Sequence, residues 1–153
     1  MKYWLVKNEP EDFSIDDLEA APNGTTHWDG VRNYQARNFM RDQMSVGDQV
    51  LYYHSNCKPP GVVGICEVAS EPYPDRTALD PSGRYYDPKH TEENPRWFMV
   101  DMKFRRKMKR MITLEDIRQH EDRLEGLALI RRGNRLSVMP VDKTHWDLIL
   151  SLE

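Results

Sequence analysis

The sequence predicts an α+β fold: a mostly antiparallel, curved β-sheet of about five or six strands, closing toward a barrel, with short helices around it. Three observations predict it. Strand-like segments come in clusters instead of alternating singly with long helices, which argues against a doubly wound parallel sheet. The helical segments are short and each carries its own start signal. A sheet of that size in a chain of 153 residues manages its open edges best by closing on itself.

The first strand is Tyr3 to Lys7, YWLVK, short, aromatic and β-branched. Asn8-Glu9-Pro10 ends it. Ser14 then starts SIDDLEAA, where its hydroxyl can accept from a free backbone amide and Asp17 favours the positive helix end. Pro22-Asn23-Gly24 stops that helix. Asn33 is placed to cap a second one, in which Ala36, Phe39, Met40 and Met44 share a face. Ser45 to Asp48 is a turn, and QVLYYHS is the next strand. Pro59-Pro60-Gly61 breaks the chain before a long buried strand from Gly61 to Ala69.

Glu71 to Pro95 is rich in Pro, Asp, Gly and Tyr. Tyr73, Leu79, Tyr85 and Tyr86 give it material for packing, so it reads as a long ordered excursion, and such loops are often functional. A strand is expected from Arg96 to Phe104. Thr113, with Asp116 three residues on, starts a helix, and Glu121 to Arg131 offers a second helical stretch. Gly133-Asn134 is a turn. Leu136 to Val141 is a strand that Pro140 marks as an edge or an end. Asp142 starts a last helix carrying Trp146, Ile149 and Leu150. No repeat or boundary divides the chain, so one domain over 1–153 is expected.

Hydrophobic residues are 39% and charged residues 31%, the balance of a globular chain. No apolar run approaches the length of a membrane span, and MKYWLVKNEPEDF lacks a secretory apolar region. A cytoplasmic protein is expected, or a nuclear one in a eukaryote, with no membrane partner and a monomer preferred. Cys57 and Cys66 read as thiols in that setting. His54 and Cys57 make an H-x-x-C pair, but a closed zinc site needs four ligands, so neither metal nor cofactor is expected. The net charge is -3. Proteins that grip long DNA through many phosphates are usually basic, so any nucleic-acid contact here should be local and short.

No phosphate loop, dinucleotide fingerprint, nucleophile elbow, HExxH or zinc-deaminase signature occurs. What recurs is polar-aromatic clusters at element ends: WDGVRNY (Trp28 to Tyr34), YYHSN (Tyr52 to Asn56), Arg96-Trp97, GNRLSV (Gly133 to Val138), and Tyr3, Trp4 and Lys7. Each has a structural alternative. Trp28 can be a core anchor, Asn33 only a helix cap, Ser55-Asn56 only a turn, and Arg135 the partner of a surface carboxylate. Together they are the groups that recognise a planar heterocycle, with rings to stack on its face and amides and hydroxyls to read its edge. The run KFRRKMKR, Lys103 to Arg110, has six basic residues in eight; it can contact phosphates or be a strand end and loop of solvated charges.

Beyond these readings, WDGVRNYQARNFMR, VGDQVLYYHSN, GVVGICEV, YPDRTALD, YYDPK, NPRWFMVD and NRLSV, in this order, resemble the EVE-domain family. The resemblance covers nearly the whole chain. It implies a PUA-like β-barrel, related in fold to YTH domains, with a pocket for a modified base: a modified cytosine in DNA or a methylated base in RNA. Carried over by motif, it implies pocket residues Trp28, Val31, Asn33, Tyr34, His54, Ser55, Asn56, Trp97, Leu136 and Ser137. Trp28 and Trp97 are expected as stacking walls. Lys7, Arg32, Arg105, Arg106, Lys107 and Arg135 are expected at phosphates.

The expected function is a non-enzymatic reader of a modified nucleobase. Two alternatives stand beside it. One is an enzyme acting on a nucleotide or small heterocycle, for which His54 and Asp29 are the titratable candidates. The other is an RNA-processing accessory domain acting through a protein partner.

Overall fold

Eight strands and four α-helices make up the fold in the computed structural model, which describes residues 1–153. In chain order they are β1 (Tyr3–Asn8), α1 (Ile15–Ala20), β2 (Thr25–His27), α2 (Tyr34–Asn38), β3 (Gln49–His54), β4 (Gly61–Val68), β5 (Tyr73–Pro74), β6 (Phe98–Met99), β7 (Asp101–Thr113), α3 (Leu114–Arg118), β8 (Val138–Val141) and α4 (Lys143–Ser151). Six strands form one sheet in the order β2-β7-β4-β3-β1-β8, and β5 pairs separately with β6. β1 and β3 run parallel; every other pair is antiparallel. The sheet curls as a half-barrel, and its end strands β2 and β8 do not pair with each other. Both edges are short, and β8 carries Pro140, which offers no amide to a new strand.

The middle strands are near-continuous apolar runs because both faces are covered. Trp4, Leu5, Val6, Val50, Leu51 and Tyr52 are all buried, the pattern of a doubly packed strand. The parallel pair is fixed at its base by Asp48. Its carboxylate accepts from the Trp4 indole Nε1 at 3.0 Å, from the Lys2 amide at 3.1 Å and from the Ser45 amide at 3.0 Å. One buried acidic side chain thus ties the start of β1 to the turn that launches β3.

The short helices begin where the capping residues place them. Ser14 and Asp17 form a reciprocal capping box, as do Thr113 and Asp116. Asn33 Oδ1 accepts from the Ala36 amide at 3.0 Å. α2 then loosens into a π-turn over Phe39–Gln43, which still buries Met40 and Met44 beside Ala36. α1 lies tight against β4 at Gly64, where a Cβ would come within 2.6 Å of the Ile15 side chain.

Several segments differ from the sequence expectation. The strand expected over 96–104 is instead the two-residue β6 followed by a thirteen-residue β7 that runs through the whole basic stretch. Register shifts between β4 and β7 break the apolar alternation there. The helical stretch expected over 121–131 is two 3₁₀ turns, Glu121–Arg123 and Ala128–Ile130, with Gly126 between them at φ 92°. The three residues of β2 had no clear strand signal. Asp142 precedes α4 without a side-chain capping bond.

Asp48→Ala leaves three buried or half-buried N–H groups without their acceptor. At a desolvation cost of about 1–3 kcal/mol for a buried unsatisfied donor, it is expected to destabilise the fold by about 3 kcal/mol or more. Urea unfolding of the variant against wild type measures this.

Candidate nucleobase-binding cavity

Side chains on a strand alternate in direction, so Tyr52 and His54 point the same way from β3. Both reach the turn before α1. The Tyr52 hydroxyl donates to the Phe13 carbonyl at 2.6 Å, and His54 Nε2 accepts from the Ile15 amide at 3.2 Å. Trp28 packs edge-on against the Tyr52 ring, with centroids 5.5 Å apart. Phe13 and Trp28 therefore stand on one support.

The loop after β2 is held by an ion pair between the half-buried Arg32 and a fully buried carboxylate. Arg32 Nη1 donates to Asp75 at 3.1 Å, and its Nη2 donates to the Tyr85 carbonyl at 2.9 Å. The same guanidinium lies 5.3 Å from the Tyr85 ring centroid and 5.2 Å from that of Trp97. Asp75 is fully buried and also accepts from the Gly30 amide at 2.8 Å and the Thr77 amide at 2.9 Å. Gly30 has φ 76°, and a Cβ there would sit 2.4 Å from the Tyr85 ring; only glycine lets the ring lie over the backbone.

Between these supports lies a cavity of about 430 Å³. Its wall comes from the end of β1 (Lys7, Asn8), the turn before α1 (Asp12, Phe13), β2 (Thr26, His27), the loop Trp28–Arg32, the excursion (Arg84, Tyr85) and Ser137 before β8. The volume falls within the range of small-ligand sites. The lining is mainly polar and carries both signs. Asp12 and Arg84 approach to 3.9 Å, and His27 and Asp29 to 3.7 Å. Several donors in the wall have no acceptor in the protein, among them the hydroxyls of Thr26, Tyr85 and Ser137, the Trp28 indole and the Lys7 ammonium. The indole N–H groups of Trp4 and Trp97 bind Asp48 and Asp87, but that of Trp28 binds nothing. The half-buried Lys7 ammonium has only the Tyr53 ring, 5.7 Å away.

Of the residues expected in a base pocket, Trp28, Val31 and Ser137 line this cavity; of those expected at phosphates, Lys7 and Arg32 do. The others lie elsewhere. Asn33 caps α2. Tyr34, 51% exposed, stacks on Trp97 with centroids 4.8 Å apart. Trp97 is buried, its indole donating to Asp87 at 2.7 Å. His54 faces the Ile15 amide, Ser55 continues from β3 through its amide to the Asn8 carbonyl, and Asn56 donates to Glu9. Leu136 is in the core. Arg105 pairs with Glu67, Arg106 with Glu153, and Lys107 with Asp16 and Glu19. Arg135 is exposed at the β8 side.

Sequence reasoning missed Asn8, Asp12, Phe13, Thr26, His27, Gly30, Arg84 and Tyr85 as lining residues and did not assign Asp29 to this wall. Asn8 and Asp12 flank Pro10, where β1 stops, so an element end was visible there. Tyr85 belongs to an aromatic-rich loop whose packing was anticipated without its partner.

Burial pulls the Lys7 ammonium below its ordinary pKa. For Asp75, burial pushes upward, but hydrogen bonds from Thr77, Gly30 and Arg32 outweigh it and hold the carboxyl below the usual range. Burial lowers the pKa of both His54 and His90. Each uses a ring nitrogen as an acceptor: His54 from Ile15, and His90 Nδ1 from the Arg96 and Trp97 amides, both at 3.0 Å. No group of three or more His, Cys, Asp or Glu side chains is placed to hold a metal ion, and no helix is long and apolar enough to cross a membrane.

The family model of the EVE domain matches residues 2–152. Thymocyte nuclear protein 1 of Mus musculus is 46% identical over 167 residues, covering 99% of this chain and 73% of the relative. The human THYN1 protein, solved in complex with DNA containing 5-methylcytosine, superposes with a TM-score of 0.94 at 43% identity, over 99% of this chain and 97% of that one. A YTH domain from Zygosaccharomyces rouxii, solved with N6-methyladenosine RNA, superposes at a TM-score of 0.54 and 14% identity over 99% of this chain and 83% of that one, a likeness of fold alone.

Two outcomes are expected from this geometry. Arg32→Lys keeps the charge but loses the planar fork that binds Asp75 and the Tyr85 carbonyl together. It should cost about 2 kcal/mol or more in urea unfolding and speed limited proteolysis within 71–95. His54 and His90 stay neutral in the fold, whereas in the unfolded chain they take up protons near their ordinary pKa of 6.5. Their contribution is fully present above that pH and is lost as pH falls through the lowered folded values. Stability measured by urea unfolding should therefore drop just below pH 6.5, and His54→Gln and His90→Gln should each flatten part of that slope.

Proposed function

This chain belongs to the EVE-domain family and has its PUA-like α+β fold, and on that premise we propose that it is a non-catalytic binding module for a modified nucleobase. The observation that carries the proposal is the base-sized cavity whose wall offers the rings of Trp28 and Tyr85 together with the unpaired Lys7 ammonium and Thr26 and Ser137 hydroxyls. A flipped or single-stranded base is held in this manner, by a ring against its face and donors at its edge. A relative of 43% identity solved with 5-methylcytosine DNA supports a modified cytosine as the ligand. A methylated base in RNA is the alternative ligand for the same wall.

Within this reading Trp28 and Tyr85 provide the flat surfaces, and Ser137, Asn8 and Lys7 meet the base edge. Arg32 acts from behind the wall by fixing the excursion that carries Tyr85. Tyr34 and Trp97 contribute through the same scaffold, since their rings stack on one another outside the lining. A second reading, catalysis on a nucleotide or heterocycle, draws support from Lys7. An amine with a burial-lowered pKa inside a cavity is a candidate proton-transfer group. No neighbouring hydrogen-bond partner is in place to relay its proton, which favours the binding role.

Tryptophan-fluorescence titration with short DNA and RNA oligonucleotides, each carrying one modified base or its unmodified parent, tests the proposal. A preference for one modified base is expected. Trp28→Ala should weaken that preferred complex by about 1–3 kcal/mol, the range for loss of a base–aromatic stack. A folded Trp28→Ala protein binding as well as wild type would remove Trp28 from the site. Turnover of a nucleotide that is lost in Lys7→Met would move the catalytic reading ahead.

A further inference from the structure

Four of the six basic side chains in the densest basic run of the sequence are taken up by ion pairs, and Lys103 and Lys109 are the two left free. Along β7, Arg105 pairs with Glu67 at 3.4 Å, Arg106 with Glu153 at 2.7 Å, and Arg110 with Asp116 at 2.9 Å. Lys107 pairs with Asp16 and Glu19 on α1. Glu153 also accepts from the Lys109 amide, and the Arg106 guanidinium holds its carboxyl down to about 2. These side chains brace α1, α3 and the last residues of the chain against the sheet. A phosphate reaching them must first displace a carboxylate.

The turn between the second 3₁₀ segment and β8 is different. Its sequence is RRGNR, and Arg131, Arg132 and Arg135 are all exposed and paired with no carboxylate. Arg131 borders a shallow groove with Glu121, Asp122 and Glu125 but forms no ion pair with them. The turn is held in shape: the Asn134 amide donates to the Arg131 carbonyl at 3.1 Å, Gly133 takes φ 76°, and Asn134 Oδ1 accepts from the Leu136 amide at 3.2 Å. It also opens directly into the cavity wall. Arg135 lies two residues before Ser137, so their Cα atoms are within about 7 Å. The Ser137 carbonyl accepts from the Lys7 amide at 2.9 Å, and both residues line the cavity.

We infer that the turn Arg131–Arg135 is the surface along which the nucleic-acid backbone passes the cavity, and that the ion-paired side chains of β7, Arg105, Arg106, Lys107 and Arg110, are structural. The inference rests on the base-binding reading for the position of the strand. Three free guanidiniums on a fixed turn release counterions from about three phosphates without breaking any ion pair first. That number suits a short, local footprint and an acidic chain: a nucleotide in the cavity needs only its flanking phosphates held.

The test compares Arg131→Ala/Arg132→Ala/Arg135→Ala with Arg105→Ala/Lys107→Ala, after thermal melts confirm that both variants fold. Fluorescence anisotropy follows binding of a labelled oligonucleotide carrying one 5-methylcytosine, and of its unmodified parent, over a range of salt. In the turn variant, affinity for both oligonucleotides should fall together by about tenfold or more, and the slope of log K against log salt should become shallower by roughly two. The β7 variant should leave the slope as in wild type. A slope lost in the β7 variant and kept in the turn variant overturns the inference. If the turn variant flattens the slope but wild type does not distinguish the modified base, the base-binding reading fails and the backbone surface stands. If discrimination persists and the turn variant keeps the full slope, the surface assignment fails and the base-binding reading stands.

Discussion

The guanidinium of Arg32 holds the cavity together. It joins a loop that follows β2 to two points on the excursion, Asp75 and the Tyr85 carbonyl, 43 and 53 residues further along the chain. Asp75 has no exposed surface, and a buried carboxylate is tolerated only when paired and hydrogen-bonded. Arg32 supplies the charge, while Gly30 and Thr77 supply the remaining donors. The same cation lies between the rings of Tyr85 and Trp97. A continuous series of cations and rings follows, from Arg84 through Tyr85, Arg32 and Trp97 to Tyr34 and Arg37. It gives a loop of more than twenty residues, with little regular structure of its own, the rigidity of a wall. A site on such a loop can be preorganised only through contacts of this kind.

The sheet meets this wall from the other side. The parallel pair β1–β3, fixed at one end by Asp48, delivers Lys7 and Asn8 to the cavity from its other end. From β3, Tyr52 and His54 reach the turn that carries Phe13. The cavity is therefore lined by strand ends and loops while its supports are strand interiors, an arrangement that lets polar groups face a ligand without loosening the core. The half-barrel leaves its edges open, but short edge strands and Pro140 make them poor templates for further pairing.

The central strands and the helix starts were legible in the sequence because their signals are local. YWLVK, QVLYYHS and GVVGICEV needed only apolar runs bounded by turns, and Ser14, Asn33 and Thr113 needed only a side chain and an amide three residues on. The basic stretch was ambiguous because a strand of charged residues is stable only if carboxylates come to it. Those carboxylates, Asp16, Glu67, Asp116 and Glu153, lie in four different parts of the chain. The region 121–131 has helical apolar spacing, but Gly126 at φ 92° divides it. Residue chemistry pointed toward a base-sized site without giving its membership. His54 is a plausible catalytic or reading group until its nitrogen is seen accepting from Ile15, and Asn33 until its oxygen is seen capping α2.

The cavity's polarity bears on what it can hold. Apolar pockets select ligands by area, and such selection is worth little per methyl group. Here the wall combines Asp12 and Asp29 with Lys7, Arg32 and Arg84, and it leaves the Lys7 ammonium and the Thr26 and Ser137 hydroxyls without acceptors. A ligand that leaves those donors unpaired loses their hydrogen bonds on desolvation, so the wall discriminates by edge pattern more than by bulk. A heterocycle carrying ring nitrogens and a carbonyl fits that demand; an alkyl chain does not. The unmodified base, however, offers the same edge acceptors as the modified one. On the base-binding reading, a methyl group in the plane of the ring is met by the groups around its edge, while Trp28 and Tyr85 set the spacing of its faces, and Tyr85 stands where it does only because Gly30 has no side chain and Arg32 holds its carbonyl.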